Sequence, residues 1–481
     1  MFDILLADQN DQPLYMQLYM QIRNHIRSGI KNGTRLPSVR SLQLQLNISK
    51  TPIETAYQML SAEGYVICKP RSGIYTVNPH ETVPSKQIKD TSLSIRAEQE
   101  HVIHNPELPN YPIDFNPSVV DEDNFPNRTW RKMIFETLVN SGERICQYGD
   151  PQGEYHFRSV LADYLRNSRG VNCTPEQIII GSGLSYSIGI LTKLFKGIQH
   201  VAMEEPGYAP VREQFKHNGY DLIPISVHDK GLSLEELGQS EAQAVYVTPS
   251  HQFPTGSIIP YTEREYLLDW ANAREAYIIE DDYDGEFRYY GKPIPSLQSL
   301  DRHGRVIYIG TFSKAFTPAI RMNYMVMPIE LLETMLNLQH LLSAPSRIEQ
   351  LAMQSFIEQG HWYRHIRKMR NLYRRKHHRL IELLHTHFAD YIEITGHSAG
   401  LHLQVTVKTL LTAGNLIELA AAKGVRVYDL QQMWANQNHT GYPVVYLGFS
   451  GLSESQLEKG ILLLKEAWPL HGGGIELIEK Q

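Results

Sequence analysis

The stretch that decides the fold of most of this chain is RVIYIGTFSKAF, residues 305–316. Its first half is apolar and rich in β-branched residues, as in a strand buried on both faces of a sheet. Its second half is small and polar and carries Lys314. Because ligands bind beyond the carboxyl ends of the strands in open α/β sheets, Lys314 is predicted to stand in a binding crevice. A solvated loop lysine is the alternative that this stretch alone leaves open.

Apolar runs of the same kind recur along the chain, with helical stretches between them. They are QIIIG (177–181), HVAME (200–204), AVYVTP (244–249), AYIIED (276–281) and YMVMP (324–328). This alternation predicts a mostly parallel sheet that is covered by helices on both faces. A long helical stretch at about 345–388, followed by strands around HLQVTV and PVVYLGF, predicts a smaller α+β lobe over roughly residues 340–481.

An acidic cluster follows the run AYIIED and contains Asp281 and Tyr283. These two residues are two positions apart, so both can project into one crevice as the chain leaves the sheet. A buried carboxylate beside a pyridine nitrogen keeps that nitrogen protonated, and a phenol nearby can donate to the ring's 3-oxygen. A divalent-metal site and a solvated acidic turn are the alternatives, although the spacing of an EF-hand is absent.

Three further elements point to the same kind of ligand. The turn Gly181–Ser185 follows a predicted strand and opens a helix, where backbone N–H groups and the helix dipole favour a phosphate. Arg321 lies seven residues past Lys314 and could pair with that phosphate. The ring of Tyr208 could stack on a planar cofactor. Together these elements predict a pyridoxal 5′-phosphate site with Lys314 as the Schiff-base lysine.

Residues 111–470 resemble the fold-type I aminotransferases. Besides the elements above, the resemblance rests on the motifs Tyr148-Gly149-Asp150-Pro151-Gln152-Gly153 and Pro254-Thr255-Gly256. It implies that Asp281 holds the pyridine nitrogen, that Tyr283 binds the 3-oxygen and that Tyr208 covers the ring face. The phosphate ligands that it implies are Thr311, Ser313, Arg321 and the amides of Gly183 and Leu184.

The start of the chain differs from the rest in charge. Residues 12–78 contain eight Lys/Arg and two Asp/Glu, whereas the whole chain has a net charge of −6. A basic head on an acidic body suggests that the head meets a polyanion. Three amphipathic helices followed by a short hairpin predict a winged helix-turn-helix over residues 1–78. Ser38 is expected to cap the second helix, and Thr51 (in a capping box with Glu54) or Ser49 the third.

The residues of this head that could contact DNA lie at three places, and most of them carry a hydroxyl group or a positive charge. They are Ser38 and Arg40 at the second helix, Ser49, Lys50 and Thr51 at the start of the third, and Arg71 and Gly73 at the wing tip. A protein-interaction module is the alternative. Residues 12–77 resemble the GntR family of winged-helix repressors, through motifs that include LPSVR, SKT and EGY. The resemblance implies Arg40, Lys50, Thr51 and Gly73 as DNA contacts.

Residues 79–110 contain four prolines and no aromatic residue, and they are predicted to be a linker to the body, residues 111–481. A GntR-type head joined to an aminotransferase-like body resembles the MocR/GabR-type regulators. This resemblance implies a head-to-tail homodimer, an operator in double-stranded DNA, and control by an amino acid or short peptide whose amine forms an external aldimine in place of Lys314. The alternatives are an active aminotransferase with an autoregulatory head, and a repressor that has lost its cofactor.

Some positions depart from the families' patterns. Aminotransferases place an asparagine before Pro-Thr-Gly, where this chain has Phe253, and a phenyl ring cannot hydrogen-bond the 3-oxygen. We therefore expect sensing rather than enzymatic turnover. The GABA-responsive relative binds its substrate carboxylate with two arginines, at positions that correspond to Pro210 and Gln432 here. GABA is therefore not expected to be the effector. Arg212 is the candidate to replace the two arginines in binding an effector carboxylate.

Composition excludes several classes of protein. Hydrophobic residues make up 42% and charged residues 20% of the 481 residues, as in soluble globular proteins. No run is long and apolar enough for a membrane span, and three dispersed cysteines fit a reducing compartment, so a cytoplasmic location is expected. The stretch 361–379 holds eight Lys/Arg and no acid. It is either a solvated basic helix, with Ile366, Met369 and Tyr373 buried, or a second DNA-contacting surface.

Overall fold

A computed structural model describes most of the chain. The described residues are Ile4, Leu6, 12–70, 72–77, 111–289, 295–396, 398–429, 431–435 and 441–470. Arg71, the predicted linker 79–110 and the terminal segment 471–481 lie outside them. The chain divides into two compact units, Met1–Leu108 and Pro109–Gln481. Each unit is described by itself.

The first unit has three helices and a hairpin. Its elements are α1 (Leu14–Arg27), α2 (Val39–Leu46), α3 (Lys50–Ala62), β1 (Val66–Lys69) and β2 (Gly73–Thr76), with β1 and β2 antiparallel. One apolar face of each helix packs into a common core that includes Leu18, Ile22, Leu42, Ile53 and Leu60. This is the predicted winged helix-turn-helix.

The ends of α2 and α3 follow from local hydrogen-bonding residues. The Ser38 side chain accepts from the Ser41 N–H at 3.1 Å, as predicted. The prediction of a capping box at Thr51 is wrong, because α3 begins at Lys50 and Ser49 is at the N-cap position. Glu54 instead pairs with the Lys50 ammonium at 2.8 Å on the exposed side of the helix.

The second unit contains the remaining elements. Its strands are β3 (Ile113–Asp114), β4 (Ile178–Gly181), β5 (His200–Glu205), β6 (Asp221–His228), β7 (Gly231–Leu232), β8 (Ala244–Val247), β9 (Tyr277–Asp282), β10 (Val306–Thr311), β11 (Asn323–Val326), β12 (Ile392–Thr395), β13 (His402–Val407), β14 (Val425–Arg426) and β15 (Val444–Gly448). Its helices are α4 (Asn127–Asn140), α5 (Gly142–Ile145), α6 (Tyr155–Arg169), α7 (Leu184–Leu194), α8 (Ala209–His217), α9 (Leu234–Gln239), α10 (Tyr261–Ala273), α11 (Ile329–Asn337), α12 (Arg347–Glu358), α13 (His361–Phe388), α14 (Ala413–Ala422) and α15 (Glu454–Ala467).

The main sheet has eight strands in the order β4-β11-β10-β9-β8-β5-β6-β7. Neighbours from β10 through β6 are parallel, whereas β11 runs antiparallel to both of its neighbours and β7 is antiparallel to β6. The mostly parallel sheet is as predicted. Strand β6 was not predicted, because this strand near the sheet edge is largely half-exposed and lacks a continuous apolar run.

The smaller lobe is built on the antiparallel sheet β12-β13-β15. The helical stretch predicted at 345–388 is two helices, α12 and α13, because Gly360 between them adopts a left-handed φ of 73°. At the start of the unit, β3 pairs with β14, so that the chain entering the body joins this lobe. No helix among the described residues has the length and apolarity to cross a membrane.

The basic stretch 361–379 lies within α13. Ile366, Met369 and Tyr373 are buried, as predicted. Lys376 is also buried, and its ammonium lies 2.6 Å from the Asp121 carboxylate, which offsets the cost of burying the charge. The other basic side chains are exposed or half-buried. Contact between this helix and DNA stays a prediction.

A close approach of two glycines joins the loop after β8 to the loop after β12. Gly256 has a φ of 71°, and a Cβ added there would overlap the backbone of Gly396. Both the space and the dihedral angle at this position therefore require glycine.

Gly256→Ala is expected to destabilise the second unit by about 2 kcal/mol or more, because the side chain must displace backbone from a left-handed position. Thermal unfolding measures the effect. The matched control is Gly238→Ala in α9, where an added Cβ meets no described atom within 4 Å and the midpoint should hold or rise slightly. Equal midpoints for the two variants would contradict the expectation.

Candidate functional site

The predicted cofactor residues gather at one edge of the main sheet. In the parallel register Ile309 lies opposite Asp281, so Asp281 near the end of β9 and Thr311 at the end of β10 reach the same edge. The ends of β4 and β5 face the same way, and they bring the Gly181 turn and the Tyr208 loop there. The crevice forms because parallel strands share a direction.

Lys314 enters this crevice from the loop after β10. Its Nζ donates to the Pro117 carbonyl oxygen at 2.9 Å. Burial lowers the pKa of Lys314, and the nearby Asp284 carboxylate opposes that change only partly. A lowered pKa leaves a larger fraction of the amine neutral and nucleophilic, which suits a lysine that forms an imine.

Asp281 is a buried carboxylate that would suit a cationic partner. Burial raises the pKa of Asp281 to about 7, against the effect of the Tyr246 hydroxyl, which donates to its Oδ2. Among the described residues no lysine, arginine or histidine nitrogen lies within 4 Å of Asp281. A protonated ring nitrogen would supply that positive charge, so the site fits a pyridinium.

The other acids of the cluster already have protein partners. Asp282 Oδ2 accepts from Arg169 Nε at 2.6 Å, and Glu280 accepts from the backbone N–H groups of Leu297 and Gln298 at 2.7 and 2.8 Å. In the described part of the chain, no group of three or more His, Cys, Asp or Glu side chains is arranged to hold a metal ion. The acidic residues therefore act as structural acceptors around Asp281.

The proposed phosphate end lies at the start of α7. Gly183 has a φ of 121°, and an added Cβ would lie 2.5 Å from Nη2 of Arg321, so the guanidinium rests directly against this turn. The backbone amides of Leu184 and the next residue are the first of the helix, so no carbonyl oxygen within the helix accepts from them. The Gly183 amide differs, since it donates to Asn323 Oδ1 at 3.0 Å. A phosphate fits here with one amide fewer than predicted.

Two more of the predicted phosphate ligands lie beside Lys314. The Ser313 amide donates to Thr311 Oγ1 at 3.1 Å, and both side chains are half-buried. Their hydroxyl groups are thus held at the same edge of the sheet as the turn that begins α7. Binding of a phosphate by these hydroxyls remains a proposal.

Aromatic rings surround the space between the two ends of the site. The Tyr208 ring lies 5.5 Å from Phe253, and the Tyr283 ring lies 6.0 Å from Phe253, both nearly perpendicular to it. The ring of His402 also lies 5.7 Å from that of Phe253. The position of the missing asparagine is therefore apolar and packed, and Phe253 offers no hydrogen bond toward a ring oxygen.

Arg212, the predicted replacement for the missing carboxylate-binding arginines, hydrogen-bonds to the backbone. Arg212 donates to the carbonyl oxygens of Gln432 and Met433 at 2.5 and 3.0 Å. The Gly207 amide also donates to the Met433 carbonyl, at 3.0 Å. Arg212 thus holds the segment 431–435 against the loop that carries Tyr208, and both of its terminal nitrogens already donate to backbone.

The predicted DNA contacts of the first unit that the structure describes are solvent-accessible. Ser38, Arg40, Ser49, Lys50 and Thr51 lie at the N-termini of α2 and α3, and none of them is buried. At the wing, Gly73 has a φ of 127°, and an added Cβ would lie 2.9 Å from Arg35 Nε. Gly73 therefore makes room for the Arg35 guanidinium. Arg35 is a candidate DNA contact that was not predicted.

Three residues that were not predicted hold the predicted ones in place. Tyr246 donates to Asp281, Asn323 binds the Gly183 amide, and Pro117 accepts from Lys314. Tyr246 had a signal, because it carries the polar atom in the buried run AVYV. Asn323 and Pro117 had none, since they are 140 and 197 residues from their partners.

Comparison with known proteins assigns both units. Residues 114–430 match the family Aminotransferase class I and II, and residues 14–76 match the bacterial regulatory proteins of the gntR family. An uncharacterized HTH-type transcriptional regulator, YdeL of Bacillus subtilis (strain 168), is 39% identical over 96% of this chain and 98% of its own length. The probable rhizopine catabolism regulatory protein MocR of Rhizobium meliloti is 31% identical over 90% and 89%.

This chain belongs to the MocR/GabR-type subfamily of GntR transcriptional regulators. Among solved structures, kynurenine aminotransferase from Pyrococcus horikoshii is 25% identical, with a TM-score of 0.68 over 75% of this chain and 91% of its own. The predicted fold class, a GntR-type winged helix-turn-helix followed by a fold-type I aminotransferase fold, is confirmed.

Gly183→Ala in this MocR-type chain is expected to weaken pyridoxal phosphate binding by about tenfold or more, because its side chain strains the turn and displaces Arg321. Titration of apoprotein with the cofactor, followed by absorbance, measures the affinity. Gly189→Ala in the same helix is the control, since its nearest contact is 3.5 Å from Gln214 Nε2. Unchanged affinity in Gly183→Ala would remove the phosphate from this turn.

Proposed function

We propose that this MocR-type regulator uses its aminotransferase-like unit to sense an amino acid or a short peptide, and that sensing changes how its head binds a DNA operator. Its cofactor is pyridoxal 5′-phosphate. The observation that carries the proposal is one crevice that contains both Lys314, with a pKa lowered by burial, and Asp281, a buried carboxylate without a cationic partner among the described residues.

When bound, pyridoxal phosphate supplies an aldehyde that condenses reversibly with amines. In our proposal Lys314 holds that aldehyde until an effector amine replaces it. Asp281 holds the ring nitrogen and Tyr208 the ring face, while Tyr283 donates to the ring oxygen. Arg321, with Thr311, Ser313 and the Leu184 amide, holds the phosphate.

Phe253 supports sensing rather than catalysis. Its ring packs against the rings of Tyr208 and Tyr283, where an amide would otherwise donate to the cofactor's oxygen. With one donor fewer, the cofactor's electronics are tuned less strongly for proton transfers after the amine has bound. The chain then keeps reversible amine capture and loses most of the turnover.

A contact between the two lobes offers a route from the cofactor site to the rest of the chain. The segment 431–435 lies on the Tyr208 loop, where the Ala435 amide donates to Glu205 Oε1 at 2.6 Å and Met433 packs beside Tyr208. An effector that binds more tightly when this contact is closed would shift the lobes toward closure. In a dimer, closure of the lobes would change the spacing between the two DNA-binding heads, and this change would alter the affinity for the operator.

The exposed apolar surface of the second unit supports a homodimer, for which the family resemblance implies a head-to-tail arrangement. Phe135 and Val139 on α4 are 67% and 63% exposed, and Tyr148 is fully exposed. Phe135 and Val139 lie four residues apart and therefore on the same face of α4. Monomeric proteins seldom leave large neighbouring apolar side chains in water, so we propose that a second copy covers this face. We also propose a cytoplasmic location, in keeping with a DNA-binding regulator.

Borohydride treatment of holoprotein is expected to fix one vitamin B6 group on Lys314, because reduction makes the lysine–aldehyde bond permanent. Peptide mass spectrometry locates the label. Lys314→Ala should lose it, whereas Lys193→Ala, which changes an exposed lysine on α7, should keep it. A label on another lysine in the wild type would refute the role of Lys314.

Arg40→Ala/Lys50→Ala is expected to weaken binding to a short random-sequence duplex. The slope of log affinity against log salt should become shallower by about 0.9 for each phosphate that the variant no longer neutralises. Fluorescence anisotropy at several salt concentrations measures it. Arg27→Ala, which removes an exposed charge on α1, should leave the slope unchanged. Equal slopes for all three proteins would exclude these residues as phosphate contacts.

A working aminotransferase is the second candidate function, favoured by the presence of Lys314, Asp281 and Arg321 at one sheet edge. Assays with an amino donor and a keto acceptor separate the two functions. Multiple turnovers would establish the enzyme, whereas a spectral change without turnover would support the sensor.

A further inference from the structure

A buried histidine sits behind the proposed cofactor-binding tyrosine. His251 lies in the loop after β8 and is 2% exposed. Its Nδ1 is 2.8 Å from Asp284 Oδ2 and 2.9 Å from the Tyr283 hydroxyl oxygen. Tyr283 and Asp284 follow β9, so the three polar groups come from neighbouring strand ends and form one compact cluster.

The fold provides a specific place for this histidine. Gly400, just before β13, has a φ of 83°, and a Cβ added there would overlap Cε1 of His251 and lie 2.9 Å from Asp284 Oδ2. The backbone of the smaller lobe therefore forms the wall against which the imidazole and the carboxylate rest. The imidazole has little room to rotate away from Tyr283.

The partners of His251 indicate where its proton lies. An ionised carboxylate only accepts hydrogen bonds, so the contact with Asp284 requires a proton on Nδ1. Burial lowers the pKa of His251, whereas the Asp284 carboxylate raises it. The net effect is an increase in the pKa, which the positive charge of Arg288 makes smaller. The neighbouring His402, at 5.7 Å between ring centroids, stays neutral because burial, His251 and Lys314 lower its pKa to about 3.

We propose that His251 is a positioning residue for Tyr283. Its Nδ1–H, held by Asp284, also reaches the phenol oxygen, so that this oxygen accepts. The Asp284 carboxylate can also accept from the Tyr283 phenol. By donating to that carboxylate, His251 leaves the phenol hydrogen to an acceptor in the crevice. In the proposed function that acceptor is the 3-oxygen of the cofactor, and the inference rests on that function.

Phe253 increases the importance of this arrangement. Its ring is nearly perpendicular to Tyr283 at 6.0 Å and cannot donate to the same acceptor. The direction of the Tyr283 hydroxyl then carries more of the control over the cofactor's oxygen. A histidine–aspartate pair fixes that direction, whereas the O–H of a phenol without a partner could point to either side in the plane of its ring.

A double-mutant cycle on the reconstituted full chain tests the proposal. The readout is the midpoint pH of the visible spectral change, which reports the proton on the cofactor chromophore. A hydrogen bond to the ring oxygen stabilises the form without that proton, so its loss raises the midpoint. Tyr283→Phe and His251→Leu should each raise the midpoint by about half a pH unit or more.

The combined variant distinguishes positioning from a structural role. If His251 acts through Tyr283, His251→Leu should have little further effect in the Tyr283→Phe background. Equal shifts of His251→Leu in both backgrounds would overturn the proposal. His251→Gln, which keeps an N–H donor, is expected to restore part of the wild-type midpoint.

Asp284→Asn keeps the proposal testable if His251→Leu does not fold. It weakens the hold on the Nδ1 proton, but it also removes a negative charge that raises the pKa of Lys314 in either background. The test is therefore the difference between the two backgrounds: the shift that Asp284→Asn causes should be more upward with Tyr283 present than in Tyr283→Phe. A coloured wild type with additive shifts overturns this inference alone. A wild type that stays colourless with pyridoxal phosphate overturns the proposed function and this inference together.

Discussion

The burial of the Asp281 carboxylate at the end of β9 is the constraint on which the site depends. Its charge has no cationic partner among the described residues, and the Tyr246 hydroxyl alone compensates it partly. A buried carboxylate of this kind is costly unless a ligand supplies the missing charge. The geometry around it, with Lys314 on the neighbouring strand's loop and Arg321 at the phosphate turn, is therefore best understood as a site completed by its cofactor.

The same crevice explains why an aminotransferase fold can serve regulation. The groups that hold a cofactor and capture an amine are brought together, while the position that would assist later proton transfers is filled by Phe253. Arg212, the candidate replacement for the carboxylate-binding arginines, instead donates to backbone carbonyl oxygens. In the proposed function, binding is thus kept and turnover reduced, and the contact of segment 431–435 with the Tyr208 loop would connect the state of the site to the arrangement of the lobes.

Much of the fold and the outline of the site could be predicted because they rest on local patterns. The buried strands have continuous apolar runs, and the head has helical periodicity with a true cap at Ser38. Predictions were weaker where local signals competed or were missing. Thr51 and Glu54 have the spacing of a capping box, yet α3 begins after Ser49. Strand β6 resembles a loop because its residues are largely half-exposed or exposed. The turn at Gly360 was hidden inside a helical pattern.

The sequence by itself determined which residues could carry the chemistry: a lysine, a carboxylate, a phenol and a glycine turn, each directly after a strand. Only the tertiary structure decided what supports them. Tyr246, Asn323, Pro117 and Gly400 lie far along the chain from the groups that they contact, and hydrogen bonds and close packing across such separations leave no periodic trace. The physical reason is that a pattern records which face of an element is buried, whereas a partner is chosen by the folding of the whole chain.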